Sequence, residues 1–252
     1  MIEKLFNMEG QETEEHWVSI SDVMAGLMVI FLFIAISYMV SANRETERMA
    51  ELKDKVANLV DAYRNLQGAL SEELKREFEG DLVKWTGYLD METLSIRFEK
   101  PFTQGDAAVP NTFKNVLRDF FPRYIAILTK SEYRDEIAEI RIEGHTSSEW
   151  HDRIGLDIAY YNNMKLSQDR SRNVLQYVLE NRHPEITQNK EWIKKYLTAN
   201  GLSSSKLIFD SSGNQNKEES RRVEFRVVTK SERLIDEIKD LMEEFDKEWE
   251  VN

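Results

Sequence analysis

The chain contains no cysteine. Disulfides, thiolate nucleophiles and cysteine-held zinc are therefore excluded, and the redox state of the compartment leaves no mark on it. Basic residues are in deficit: 34 lysines and arginines face 46 acids, a net charge of −12. An acidic surface repels polyanions, which argues against a nucleic-acid partner. The Arg221-Arg222 pair is too small a patch to reverse that. No Gly-x-x-x-x-Gly-Lys loop offers a nucleotide site. Beside His145 no second His, Cys or Asp stands at zinc-ligand spacing, so no metal site and no cofactor are expected. No nucleophile–base constellation appears, so no enzyme is expected. Internal repeats and low-complexity stretches are also missing.

What is present begins with one acid in an apolar setting. Asp22 directly precedes an uncharged run from Val23 to Val40. With Trp17 to Ser21 in front, the segment is long enough to cross a bilayer as one tilted helix, which takes about 20 residues. It lacks an Ala-x-Ala cleavage signature and exceeds the core of a signal peptide, so it is expected to be retained. A charged carboxylate at that depth costs on the order of 3 kcal/mol. Asp22 also lies only ~8 Å of helix rise beyond Trp17, so a headgroup-facing or helix-capping role is the plain alternative. Ala25 and Gly26, one turn away, would let a partner helix approach closely. One helix, or two, cannot enclose an ion path, so a path would have to be shared with another protein. There a carboxyl would take up a proton where it is desolvated and release it where it is wet. Ser19 and Ser21 could line such a path, for H+ or Na+. With 32 % charged residues overall, the rest of the chain belongs in water.

Between Arg44 and Gly80 there is no proline. Met49, Leu52, Val56, Leu59, Tyr63, Leu66 and Leu70 alternate steps of three and four, a heptad seam that Leu74 and Phe78 continue. The seam predicts a helical, coiled-coil-like linker joining two copies. A single amphipathic helix packed on its own domain would show the same stripe. Beyond it, Leu94, Ile96 and Phe98 alternate as a half-buried strand does, and Phe102 to Gly105 reads as a turn. Helices are predicted over Asn111–Leu128, kinked or interrupted at Pro122, and over Leu166–Leu179. Glu191–Asn200 reads as a helical turn or two closed by Gly201. Strands are predicted at Ile137–Ile142, Leu207–Phe209 and Val223–Val228. The last element, Ser231–Trp249, carries Leu234, Ile238, Leu241, Phe245 and Trp249 on one stripe. The order predicts an α+β fold, a small sheet covered on one face by helices.

Two stretches resemble one protein class. Trp17-Val18-Ser19-Ile20-Ser21-Asp22-Val23-Met24 is similar to the membrane helix of the flagellar stator B subunits, MotB and its relatives. Ile142-Glu143-Gly144-His145-Thr146, Leu166-Ser167-Gln168-Asp169-Arg170 and Ser220-Arg221-Arg222-Val223-Glu224-Phe225 together resemble the OmpA-like peptidoglycan-binding α/β sandwich. The acidic tail, the Met-Ala-Gly-Leu-Met stretch and the modest length resemble, within that class, the B subunits of the Zorya antiphage defence system. The resemblance implies a tail at 1–16 in the cytoplasm, a transmembrane helix at 17–41 and a helical dimerising linker at 42–81. It implies a periplasmic peptidoglycan-binding domain at 82–230 and an amphipathic helix at 231–252. It further implies a homodimer set in a pentamer of a multi-span MotA-like or ZorA-like A subunit, with Asp22 as ion carrier. The charges themselves point weakly the other way. Glu3, Glu9, Glu12, Glu14 and Glu15 precede the span, while Arg44, Arg48, Lys53 and Lys55 follow it, which mildly favours a cytoplasmic C-terminal side. A peptidoglycan domain must face the wall, and the resemblance prevails.

The resemblance also implies site residues. Arg170 would grip a peptide carboxylate through its planar fork, Asn163 and Leu166 would shape the site, and Thr146 and Arg221 would line it. A salt bridge from Arg170 to Asp169 or Glu143 is the plain alternative. His145 is expected to be structural. The family's Gly-x-Thr-Asp is here Gly144-His145-Thr146-Ser147, so the acid that pairs the ligand's ammonium is missing; Asp152 or Asp157 could replace it. A flagellar-type stator and a passive tether from membrane to wall are the competing readings.

Overall fold

The computed structural model describes residues 2–150, 155–235 and 238, with side chains from Asp22 onward. They form two units, Met1–Asn58 and Leu59–Asn252. Helix α1 (Ile2–Leu82) enters both. In the first unit it carries the one helical stretch among the described residues long and apolar enough to cross a membrane. Every side chain from Asp22 to Val40 is exposed on it. Met49 and Leu52, the start of the heptad stripe, are exposed as well. The Trp17, Ser19 and Ser21 side chains lie outside the described residues.

In the second unit the same stripe has a different fate. Leu70, Leu74, Phe78 and Leu82 are buried in the domain's own core. Over these turns the single packed helix, the alternative left open by periodicity, is what the chain adopts. The remaining elements are β1 (Gly87–Asp90), β2 (Ser95–Glu99), α2 (Asn111–Leu128), β3 (Ile137–Gly144) and α3 (Leu156–Glu180). They continue as α4 (Pro184–Gln188), α5 (Lys190–Tyr196), β4 (Leu197–Gly201), α6 (Lys217–Ser220) and β5 (Arg222–Thr229). The sheet order is β1-β2-β5-β3-β4, with β3 and β4 parallel and the other pairs antiparallel. Alternation sends Ile96, Phe98, Ile140, Ile142, Val223, Phe225 and Val227 into the core. Phe98, Phe120 and Phe225 meet there, with ring centroids 5.1–6.1 Å apart. The fold is thus α+β with a long apolar N-terminal helix, as expected.

Several elements depart from expectation. Helix α2 runs unbroken through the buried Pro122. Helix α3 begins ten residues before Leu166, at Leu156. The segment Glu191–Asn200 is half helix and half strand, because Leu197–Gly201 pairs along Ile140–Gly144. Gly201 is therefore no helix cap: a Cβ there would strike the Gln168 backbone, and one at Gly144 would stand 2.5 Å from the Ser167 carbonyl oxygen. These two glycines let α3 lie directly on the strand ends. Leu207–Phe209 forms no strand; Phe209 makes one isolated bridge to Gln215 across a turn held by the Asp210 carboxylate. Strand β1 and helix α4 escape sequence reading because each is too short to show a period. Backbone helix continues over 230–235, whereas Leu241, Phe245 and Trp249 lie outside the described residues.

Helix α1 is fastened to α2 by charge as well as by packing. Arg123 stands 2.7 Å from Glu77 and 3.0 Å from Asp81, with its guanidinium 5.0 Å above the Phe78 ring. The hydrogen bond from Arg123, aided by Lys84, holds the Asp81 carboxyl below its ordinary value against a small opposing effect of burial. A carboxyl depressed in the folded state stabilises fully above its unfolded value of about 3.9 and ceases to do so as pH falls through the folded value. The expected result is a melting temperature that drops as pH falls below about 4, with a shallower drop in Arg123→Met. Parallel pH profiles for the two proteins would contradict the assignment.

Candidate functional site

The strand ends, the middle of α3 and the loop at Gln104 and Gly105 enclose a cleft of about 290 Å3. Strand β3 delivers Thr146 and Ser147 just past Gly144, α3 presents Asn163, Leu166 and Arg170 on one face, and Arg221 stands at the entry to β5. All five residues expected to bind, Thr146, Asn163, Leu166, Arg170 and Arg221, line this one cavity. They come from three segments that the sheet brings together.

Arg170 is buried. Its Nε–H donates to the Asp106 carbonyl at 2.8 Å and Nη2 to the Thr103 carbonyl at 2.9 Å, while the guanidinium lies 4.9 Å over the Phe102 ring. Neither proposed salt bridge forms. Asp169 pairs with Lys165 and Arg172, and Glu143 faces His145. Among the described residues no carboxylate lies within ion-pair distance of Arg170. Burial pulls its pKa down to about 10, which keeps it protonated at neutral pH. Two carbonyls occupy two of its five N–H groups. The rest of a fixed, charged fork is left for an anion. A smaller cavity of about 120 Å3 lies beside Arg170 and Arg221 and is also lined by Lys100 and Arg222. Glu218 pairs with Lys100 and Arg221, and Glu224 with Arg222, which leaves Arg170 as the cation there with no carboxylate partner among the described residues.

Thr146 is 3 % exposed and its Oγ1 has no hydrogen-bond partner within the chain. A buried orphan hydroxyl costs about 1–3 kcal/mol, a cost that a polar ligand in the cleft would remove. Asn163 shapes the site indirectly: its Nδ2 donates to the Ser147 and Glu149 carbonyls, each at 3.1 Å, and so holds the 147–149 loop. Ser147, where the resembled motif carries an acid, is buried. Asp157 is exposed in the first turn of α3 and does not line the cleft. Asp152 lies outside the described residues. The acid that does line it is Glu149, which sequence reading passed over. Its signal was proximity to the motif, two residues beyond the vacant acid position.

The sheet also makes a cluster that spacing could not reveal. Arg97, Glu224 and Glu143 are cross-strand neighbours on the face away from the aromatic core. His145 is 2 % exposed, its two ring nitrogens have no hydrogen-bond partner, and one lies 3.6 Å from Glu143. Donor atoms of Glu143, His145 and Glu224 all fall within 4.8 Å of one another. The donor types suit a divalent cation, but the charge does not. Arg97, at 3.0 Å, and Arg222 both hold Glu224, so two guanidiniums already offset two carboxylates. A metal would add two charges to a neutral, buried group. Burial raises the Glu224 carboxyl, and the arginines outweigh it, leaving the group below its ordinary value. The cluster is a charge-balanced brace behind the Thr146 loop.

Asp22 belongs to the first unit and is exposed at the head of the apolar run. A Cβ added at Gly26 would meet nothing within 4 Å, so that side of the helix is open to a close neighbour.

No protein-family model matches the chain. Among solved structures, a putative MotB-like protein from Desulfovibrio vulgaris is similar at 22 % identity, over 68 % of this chain and 94 % of that one, with a TM-score of 0.46. The cell-wall anchor of the type VI secretion system of Pseudomonas aeruginosa is similar at 19 % identity, over 62 % and 97 %, with a TM-score of 0.41. Among curated proteins, a Zorya protein ZorB from a second Escherichia coli strain is 27 % identical over 217 residues, 84 % of this chain and 79 % of its own. Zorya protein ZorB of Escherichia coli Crooks is 43 % identical over 230 residues, 90 % of this chain and 93 % of its own. With identity at that level across nearly the whole of both chains, the apolar helix and the cleft-bearing domain alike, the chain belongs to the Zorya ZorB family.

Proposed function

We propose that the protein is the B subunit of an ion-driven inner-membrane machine in antiphage defence, gripping peptidoglycan through the cleft and carrying H+ or Na+ on Asp22. The observation that carries the wall-binding half is Arg170: a buried cation, with no carboxylate partner among the described residues, facing a polar cleft beside an orphan hydroxyl. Peptidoglycan stem peptides present free carboxylates, the partner such a fork selects. The domain is then periplasmic, the N-terminus cytoplasmic and the protein single-pass.

The ion path is shared with a multi-span A subunit, because a lone helix exposed on all sides cannot enclose one. Two B subunits pair through the exposed Met49 and Leu52 end of the stripe, ahead of the turns the domain core consumes, inside an A pentamer. The role is mechanical, and no chemical step is assigned to the domain. Membership of the ZorB family favours defence over a flagellar stator. Purifying the chain from membranes with its neighbouring gene product should give an assembly holding two B copies in contact with A helices, and that assembly should co-sediment with cell-wall sacculi. A single B copy, or an Asp22 touching no other polypeptide, would overturn the motor reading; loss of sacculus binding would overturn the anchor reading.

A further inference from the structure

Among the described residues the charged side chains that line the cleft are Glu149, Arg170 and Arg221. Two of the three are neutralised within the chain. Arg221 pairs with Glu218, and Glu149 Oε1 lies 2.5 Å from Lys217 Nζ with both side chains about half exposed. Arg170, bonded to two backbone carbonyls, has no carboxylate partner among the described residues. The cleft thus carries one uncompensated positive charge. The hydroxyls on its wall are neutral groups, Thr146 and Ser147, and both residues are buried. Thr146 Oγ1 is the one left without a hydrogen-bond partner, while the Asn163 amide is spent on the 147–149 loop.

We propose that the cleft selects a peptide end whose carboxylate is free and whose amine has been consumed in an amide bond, the form a cross-linked stem peptide takes. This rests on the peptidoglycan reading above and narrows it. The free carboxylate supplies the one negative charge that balances Arg170. A peptide end with a free amine is zwitterionic, because a primary amine is protonated at neutral pH. Its ammonium would bring a second uncompensated positive charge into the cleft, and a charge taken out of water without a partner is costly. An amide carries no charge. It can donate to the Thr146 hydroxyl or accept from it, and so satisfy a group that is otherwise orphaned. Discrimination comes from what the site withholds from the wrong ligand. An anchor built this way seats its load on cross-linked wall rather than on loose stem peptides.

The full chain in detergent is titrated with one stem peptide in three forms, its side-chain amine free, acetylated or dimethylated. Acetylation removes the charge, whereas dimethylation adds bulk and keeps it. The acetylated form is expected to bind wild type about tenfold more tightly than either of the others. Ser147→Asp places a carboxylate on the cleft wall and is expected to reverse the preference; Ser147→Asn, of the same size and uncharged, should not. The wild-type comparison stands by itself if a buried aspartate prevents folding. The inference is overturned if wild type binds the free-amine form as tightly as the acetylated one, if the dimethylated form matches the acetylated one, or if a folded Ser147→Asp protein keeps the wild-type preference. Each of those outcomes leaves the wall reading intact. If wild type binds none of the three forms, the wall reading falls and this one with it.

Discussion

Asp22→Asn is expected to insert, assemble with its A subunit and reach the wall, yet to lose ion-driven activity completely. Asparagine keeps the size and hydrogen-bonding reach of the side chain, so the packing proposed against a partner helix at Ala25 and Gly26 would be preserved. What it removes is the ability to exist in two charge states. In the proposed mechanism a carboxyl would be neutral in hydrocarbon and charged in a wet half-channel. Each charge moved through the membrane potential yields about 2.3 kcal/mol per 100 mV. An amide transfers none of it. The measurement is phage protection by the complete defence system, paired with co-purification of the A subunit from the same cells. Protection at the wild-type level in a correctly assembled Asp22→Asn complex would reduce the protein to a passive tether. Loss of assembly would be a different failure, a packing defect, and the co-purification separates the two.

The second large effect is expected at Arg170. Removing a buried, hydrogen-bonded charge from a binding site costs about 2–5 kcal/mol of affinity, roughly 30-fold or more. Arg170→Met should therefore abolish co-sedimentation with sacculi. It also leaves the Thr103 and Asp106 carbonyls without their donors, so part of its effect is a looser 103–106 loop. Arg170→Lys resolves the ambiguity. It keeps the charge but not the planar fork, and one ammonium cannot serve two carbonyls and a bidentate carboxylate together. The expected outcome is a melting temperature near wild type with sacculus binding still strongly reduced. A folded Arg170→Lys protein that binds as wild type does would show that charge alone suffices and that the fork is structural.

How much of this was legible beforehand differs from residue to residue. The candidate membrane helix needed only local information, because the length and polarity that lipid would require are written in consecutive residues. The strands at Ser95–Glu99, Ile137–Gly144 and Arg222–Thr229 were legible for the same reason: an alternating side-chain pattern marks a half-buried strand wherever its partner lies. The five cleft residues were legible only through resemblance. Nothing in their spacing says that Thr146, Arg170 and Arg221 share a cavity. Leu197–Gly201 was misread because a five-residue strand completed by a parallel neighbour carries no period of its own. Glu149 escapes sequence reading because an acid on a loop looks like any solvated charge until the fold sets it in the lining of the cleft.

The heptad stripe shows where local pattern ends and tertiary structure begins. Periodicity established that one face of the helix from Met49 to Phe78 seeks apolar company, but a stripe cannot name its partner. The fold decided that Leu70, Leu74 and Phe78 are covered by the domain itself, leaving Met49 and Leu52 exposed. The same holds for charge. Arg97, Glu143 and Glu224 became neighbours only through the register of β2, β5 and β3. Residue type and period determine what each side chain must avoid or neutralise. Which distant group satisfies that need depends on strand pairing and helix seating, set at close-packed points such as Gly144 and Gly201.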